Sequence, residues 1–129
     1  MSPPTRSRRI LLATPAVAGA ALILFLSSRP GSQVPATGIA YGDKLEHVAE
    51  YFVYGLLLLL PMRGLGWRGR ILALGAGLVF AALDEGFQTT VPGRVGDLAD
   101  WAADGAGLVF AVILAVAVSR RGADSAKRT

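Results

Sequence analysis

The residues able to do chemistry in this chain are concentrated. Eight of its nine carboxylates, Asp43, Glu46, Glu50, Asp84, Glu85, Asp97, Asp100 and Asp104, fall in two short stretches; only Asp124 stands apart. The single histidine, His47, lies in the first stretch. A histidine among carboxylates suits general acid–base chemistry, or a divalent cation held by imidazole and oxygen ligands. The absence of cysteine removes disulfides, thiolate nucleophiles and thiolate metal sites. Both acidic stretches border long apolar runs. A charge at the bilayer centre costs roughly 2.5–3.5 kcal/mol on insertion scales, so charges that persist there have a role.

The elements that must position these groups are membrane helices. A hydrophobic share of 53% in 129 residues is too high for an ordinary soluble domain, as is a mean hydropathy of +0.50. A chain this short is one domain. The charge of +4 and pI of about 10.1 invite a nucleic-acid partner. The basic residues instead sit in short clusters between apolar runs, as membrane topology requires, and no nucleic-acid partner is expected.

The apolar runs are Ile10–Leu26, Val48–Met62, Ile71–Leu83 and Trp101–Val118. Crossing about 30 Å of hydrocarbon takes roughly 20 helical residues. The middle two runs reach that length only if Asp43–His47 and Asp84–Gln88 are helical too, which puts polar motifs inside the crossing length. The expected fold is all-α and polytopic, with four transmembrane helices. Ten basic residues flank one set of connections and ends (Arg6, Arg8, Arg9, Arg63, Arg68, Arg70, Arg120, Arg121, Lys127 and Arg128); three lie on the other side (Arg29, Lys44 and Arg94). That asymmetry predicts both termini cytoplasmic, with Trp67 anchoring the inner interface and Tyr41 and Trp101 the outer one. Residues 1–42 then hold the N-terminal tail, first helix and outer loop, 43–119 a three-helix membrane core, and 120–129 a cytoplasmic tail. Arg6-Ser7-Arg8-Arg9, an apolar stretch and Val34-Pro35-Ala36 resemble a cleavable signal, but the stretch exceeds the usual 7–15-residue core and favours an uncleaved anchor.

Helical spacing then aligns the polar groups. Asp43, His47, Glu50 with Tyr51, and Tyr54 form one stripe of the second helix. Gly77, Ala81, Asp84 and Gln88 share a face of the third; Asp97, Asp100, Asp104, Gly107 and Ala111 share one of the fourth. At 1.5 Å per residue His47 lies about 6 Å and Tyr51 about 12 Å below Asp43, and Asp104 about 10 Å below Asp97. Three helices therefore bring acids, the histidine and tyrosine hydroxyls to one layer of the outer leaflet, with small residues beneath it allowing close backbone approach. The pattern predicts a pocket open to the outside and closed toward the cytoplasm. The turn signal Pro92-Gly93 presents Arg94 at its rim as the guanidinium for a carboxylate or phosphate. So many acids in a partly dry pocket must take up protons or a divalent cation, for which His47, carboxylates and Gln88 would supply ligands.

Taken in order, Asp43-Lys44, His47 and Glu50-Tyr51, then Asp84-Glu85, Gln88, Pro92-Gly93-Arg94, Asp100, Asp104 and Gly107, resemble the motifs of the VanZ-like family of bacterial membrane proteins. The resemblance covers about Asp43 to Gly107. In that family the position of Asp104 is often Asn, with Asp also seen. The family is named for a protein linked to low-level resistance to the glycopeptide teicoplanin, so the resemblance implies a multi-pass protein of the bacterial cytoplasmic membrane and a cell-envelope role.

Two readings follow. In the first, the pocket binds or acts on an envelope lipid, a precursor headgroup or a glycopeptide-related ligand. His47, Asp84, Glu85 and Asp100 would be the catalytic groups, and Asp43, Tyr51, Gln88, Arg94 and Asp104 the ligand-binding ones. No serine is expected in the layer, which leaves a Ser-His-Asp arrangement unsupported. In the second, the protein is a non-catalytic adaptor docking another membrane protein of the envelope. A proton-linked carrier is disfavoured, because no polar path continues through Leu56–Pro61 or Ile71–Val79.

Overall fold

Apolar runs separated by Gly- and Pro-containing connections give, in a computed structural model, helices α1 (Arg6–Ser27), α2 (Gly42–Leu59), α3 (Gly66–Gln88) and α4 (Leu98–Ala126), with one 3-10 turn at Gly31–Gln33. The structure describes residues 4–33 and 41–126, and no strand occurs among them. Val34-Pro35-Ala36, the segment of the signal-cleavage reading, lies outside the described residues, as do Lys127 and Arg128.

Helices α1, α3 and α4 are long and apolar enough to cross a membrane. Helix α2 differs: its 18 residues include Asp43, Lys44, Glu46 and Glu50. It is not among the helices long and apolar enough to cross by composition alone. Asp43–His47 and Asp84–Gln88 are helical, as the length argument required. Helix α4 does not stop near Val118 but continues through Arg120 and Arg121 as exposed turns, since nothing before Ala126 breaks it.

Successive helices run in opposite directions. At one end Arg9 Nη1 donates to the Pro61 carbonyl (3.3 Å) and Arg70 Nη2 to Ser119 Oγ (3.0 Å), which joins the start of α1 to the end of α2 and the start of α3 to the end of α4. At the other end Gly31 N–H donates to the Pro92 carbonyl (3.0 Å). Pro92 and Gly93 form the centre of a turn closed by Arg94 N–H on the Val91 carbonyl (3.1 Å); the φ of 74° at Gly93 suits the glycine position of a type II turn. The chain thus has one end rich in arginine and one rich in carboxylates.

The most extensive packing is between α2 and α4, which run in the same direction. Gly107 permits it: a Cβ there would strike the Val48 carbonyl oxygen. On α3, a Cβ at Gly77 would come 2.6 Å from Leu108 Cδ2, so Gly77 makes room for the Leu108 side chain of α4. The small residues beneath the polar layer do allow the close approach expected of them. Ile23, Tyr51, Tyr54, Ala81 and Leu108 form the core. Tyr41 and Trp67 are exposed, as interfacial residues would be. Trp101 is not: it is half-buried and its indole N–H donates to the Leu78 carbonyl (3.2 Å), so it clamps α4 to α3.

Candidate functional site

Where α2 enters the bundle, the i, i+4 spacing of His47 and Tyr51 points both side chains at α3 and α4. His47 Nδ1 lies 2.7 Å from Asp104 Oδ1, and Asp104 is fully buried. With Asp104 ionised and the imidazole neutral, Nδ1 carries the proton and Nε2 presents its lone pair. On that side stands Asp100, one helical turn earlier on α4, with Oδ2 at 3.9 Å from Nε2. The other oxygen of Asp100 meets Lys44 Nζ, which also holds Asp97 Oδ2 and Asp43 Oδ2, each at 3.0 Å. Glu85, from α3, accepts the Asp97 backbone N–H on Oε2 (2.9 Å). His47, Glu85 and Asp100 each offer a ligand atom within 4.8 Å of the others.

A second group adjoins the first through the Asp84-Glu85 pair. Tyr51 OH donates to Asp84 Oδ2 (3.2 Å), and so does Gln88 Nε2 (3.4 Å). Gln88 Nε2 also donates to Ser27 Oγ (3.2 Å), while its carbonyl oxygen accepts from Arg94 Nη2 (2.8 Å). Tyr51 is wholly buried and Asp84 is 1% exposed. The Tyr51, Tyr54 and Phe80 rings floor the layer, with edge-on Tyr51–Tyr54 centroids 5.9 Å apart. Three buried carboxylate oxygens, Asp84 Oδ1, Glu85 Oε1 and Asp104 Oδ2, have no hydrogen-bond partner among the described residues. An open cleft beside Glu85 is lined by Gly86, Thr89, Asp97 and Trp101.

Most of the residues that spacing selects do meet here, but several sit differently. Asp43 is exposed and touches the site only through Lys44. Asp97 precedes α4 instead of facing inward from it; its Oδ1 accepts Ala99 N–H (2.8 Å) and caps the helix. That N–H first, and Lys44 second, hold the exposed Asp97 carboxyl below the usual carboxylate range. Arg94 donates to Gln88, and Gln88 lies with Asp84 and Ser27, outside the His47 group. Arg94 is not the only guanidinium at this end: half-buried Arg29 is there too, with Nε buried and unpartnered among the described residues. Ser27 corrects the expectation of a layer without serine, since the last turn of α1 buries it against Gln88. Its hydrogen-bond partner among the described residues is Gln88, which makes no Ser-His pair. Lys44 is the residue that spacing overlooked; it lies one position off the stripe, and only its long side chain brings the ammonium back. Glu46 is exposed and Glu50 is half-buried.

Comparison with curated proteins and with solved structures gave no match. A family model, described as VanZ/LLP1, matches residues 15–119, which includes every residue of both groups just described. With three helices apolar enough to cross a membrane and its motifs on α2, α3 and α4, the chain belongs to the VanZ/LLP1 family of membrane proteins.

Proposed function

We propose that the chain crosses the bacterial cytoplasmic membrane four times with both termini inside. In this reading the carboxylate-rich end is an outward-facing pocket for the anionic headgroup of an envelope lipid or lipid-linked precursor. The orientation is supported by the separation of a basic end from an acidic one, which matches the ten-to-three distribution of Lys and Arg. The observation that carries the functional reading is the part-buried His47–Asp104 hydrogen bond of 2.7 Å. A carboxylate behind an imidazole fixes its tautomer and stabilises its protonated form, which is how a general acid–base is prepared. Arg94 and Arg29 at the same end supply positive charge for a phosphate, and Tyr51, Asp84 and Gln88 supply a fixed polar wall.

The link to glycopeptide resistance comes with the family name, and chemistry on an envelope precursor would account for it. One observation favours the adaptor reading: Tyr41, Leu45, Val95 and Leu98 are exposed apolar residues around the same end. Lipid extracts separate the two. A deletion strain should differ from wild type in an anionic envelope lipid, and His47→Gln or Asp84→Asn should fail to restore the profile. An unchanged profile in the deletion strain would leave only the adaptor.

A further inference from the structure

We propose that His47, Glu85 and Asp100 bind a divalent first-row metal ion, zinc by the character of the ligand set, with Asp104 holding the imidazole from behind. This rests on reading the carboxylate-rich end as the functional site, though not on which headgroup it receives. The three ligands come from three different helices, α2, α3 and α4, and their ligand atoms lie within 4.8 Å of one another. Metal-bound histidines usually donate their second ring N–H to a carboxylate, which fixes the tautomer and aims the free nitrogen. The Asp104 Oδ1···His47 Nδ1 contact of 2.7 Å is that arrangement, and it leaves Nε2 facing Asp100 Oδ2 at 3.9 Å.

Glu85 supplies the independent observation. The residue is only 8% exposed and its Oε2 is fixed by the Asp97 N–H, yet Oε1 is buried with no partner among the described residues. A buried carboxylate oxygen left in this way takes a proton or a cation, and the His47 and Asp100 ligand atoms beside Glu85 favour the cation. Lys44 cannot be that counterpart while it serves Asp43, Asp97 and Asp100. Zinc takes His nitrogen and carboxylate oxygen at about 2.0–2.2 Å, which places neighbouring ligand atoms roughly 3.0–3.5 Å apart. The observed separations close to that with movements on the order of 1 Å. An imidazole with two carboxylates favours zinc over magnesium or calcium, which prefer oxygen alone. Three protein ligands also leave a coordination position for an anionic oxygen.

The test is zinc binding by the full chain purified in detergent, stripped with a chelator and titrated with zinc, calcium and magnesium. One zinc per chain is expected, bound at least ~100-fold more tightly than calcium or magnesium. His47→Gln and Glu85→Gln should each weaken zinc binding by about 100-fold. Asp104→Asn should weaken it by about 10-fold, the lower end for a residue orienting a ligand. Asp84→Asn, outside the ligand set, should leave it within about 3-fold. Circular dichroism identifies variants that lose helix, and Asp104→Asn, which keeps the size of the side chain, serves if the others unfold. Absence of stoichiometric zinc, or equal affinity in wild type, His47→Gln and Glu85→Gln, overturns the proposal. If the deletion strain keeps a wild-type lipid profile while the wild-type chain binds zinc, the headgroup reading fails and the ion site stands. If the wild-type chain shapes the lipid profile but binds no zinc, the ion site fails and the headgroup reading stands.

Discussion

Tyr51 OH and Asp84 Oδ2, 3.2 Å apart and both sealed from solvent, join α2 to α3 one turn below the His47–Asp104 contact that joins α2 to α4. A single helix face thereby fixes the positions of both its neighbours. Polar links of this kind contribute little net stability between membrane helices, about 0.6 kcal/mol on average, so their value lies in placing the groups.

Removing one partner exposes that difference. His47→Gln/Asp104→Asn should destabilise the fold less than the two single losses combined, by roughly 0.5–3 kcal/mol of coupling. Asp104→Ala, which leaves His47 without its acceptor, should cost more than Asp104→Asn. Denaturation of the wild type, the three single variants and the double variant in one detergent measures both. Additive losses would mean that the imidazole and the carboxylate do not interact.

The α2–α4 contact should tolerate little added volume. Gly107→Val places side-chain atoms against the Val48 carbonyl and is expected to cost about 1–3 kcal/mol or to separate the helices. Gly75, with nothing within 4 Å of an added Cβ, is the control, and Gly75→Ala should be neutral or slightly stabilising. Thermal melts compare the two.

Acid should loosen the start of α4. The Asp97 carboxyl is held below its ordinary range first by the Ala99 N–H and then by Lys44. A depressed folded value means that its contribution is present above the unfolded value of about 3.9 and is lost as pH falls through the folded one. Melting temperature should therefore fall below about pH 4 in wild type and less steeply in Asp97→Asn. Parallel acid slopes would show that Asp97 caps nothing.

Much of this site was legible in the chain because helical spacing reports faces directly. The buried row Gly77, Ala81, Asp84 and Gln88, the inward pair His47 and Tyr51, and the close approach at Gly107 all follow from it. Spacing does not report how one helix is rotated against another. Ser27 and Ser28 are adjacent, yet only Ser27 is buried against Gln88, while Ser28 bonds back to the Phe25 carbonyl (2.7 Å). Nothing in α1 alone distinguishes them. Asp97 fits the 3.6-residue stripe and also fits a helix cap; with Gly96 before it, the cap prevails.

The membrane orientation can be tested independently, because the sequence holds no cysteine. An impermeant thiol reagent applied to intact cells should label Ser32→Cys and not Trp67→Cys. The reverse pattern would place the carboxylate-rich end inside and remove any access to outer-leaflet headgroups.

The most direct measurement of the central claim, that the two polar groups act as one site, is the lipid profile of a deletion strain complemented by His47→Ala, Asp84→Asn and the double variant. Members of one site lose function once, so the double variant should match the more severe single variant. A double variant whose defect is the sum of two partial, independent defects would contradict the claim.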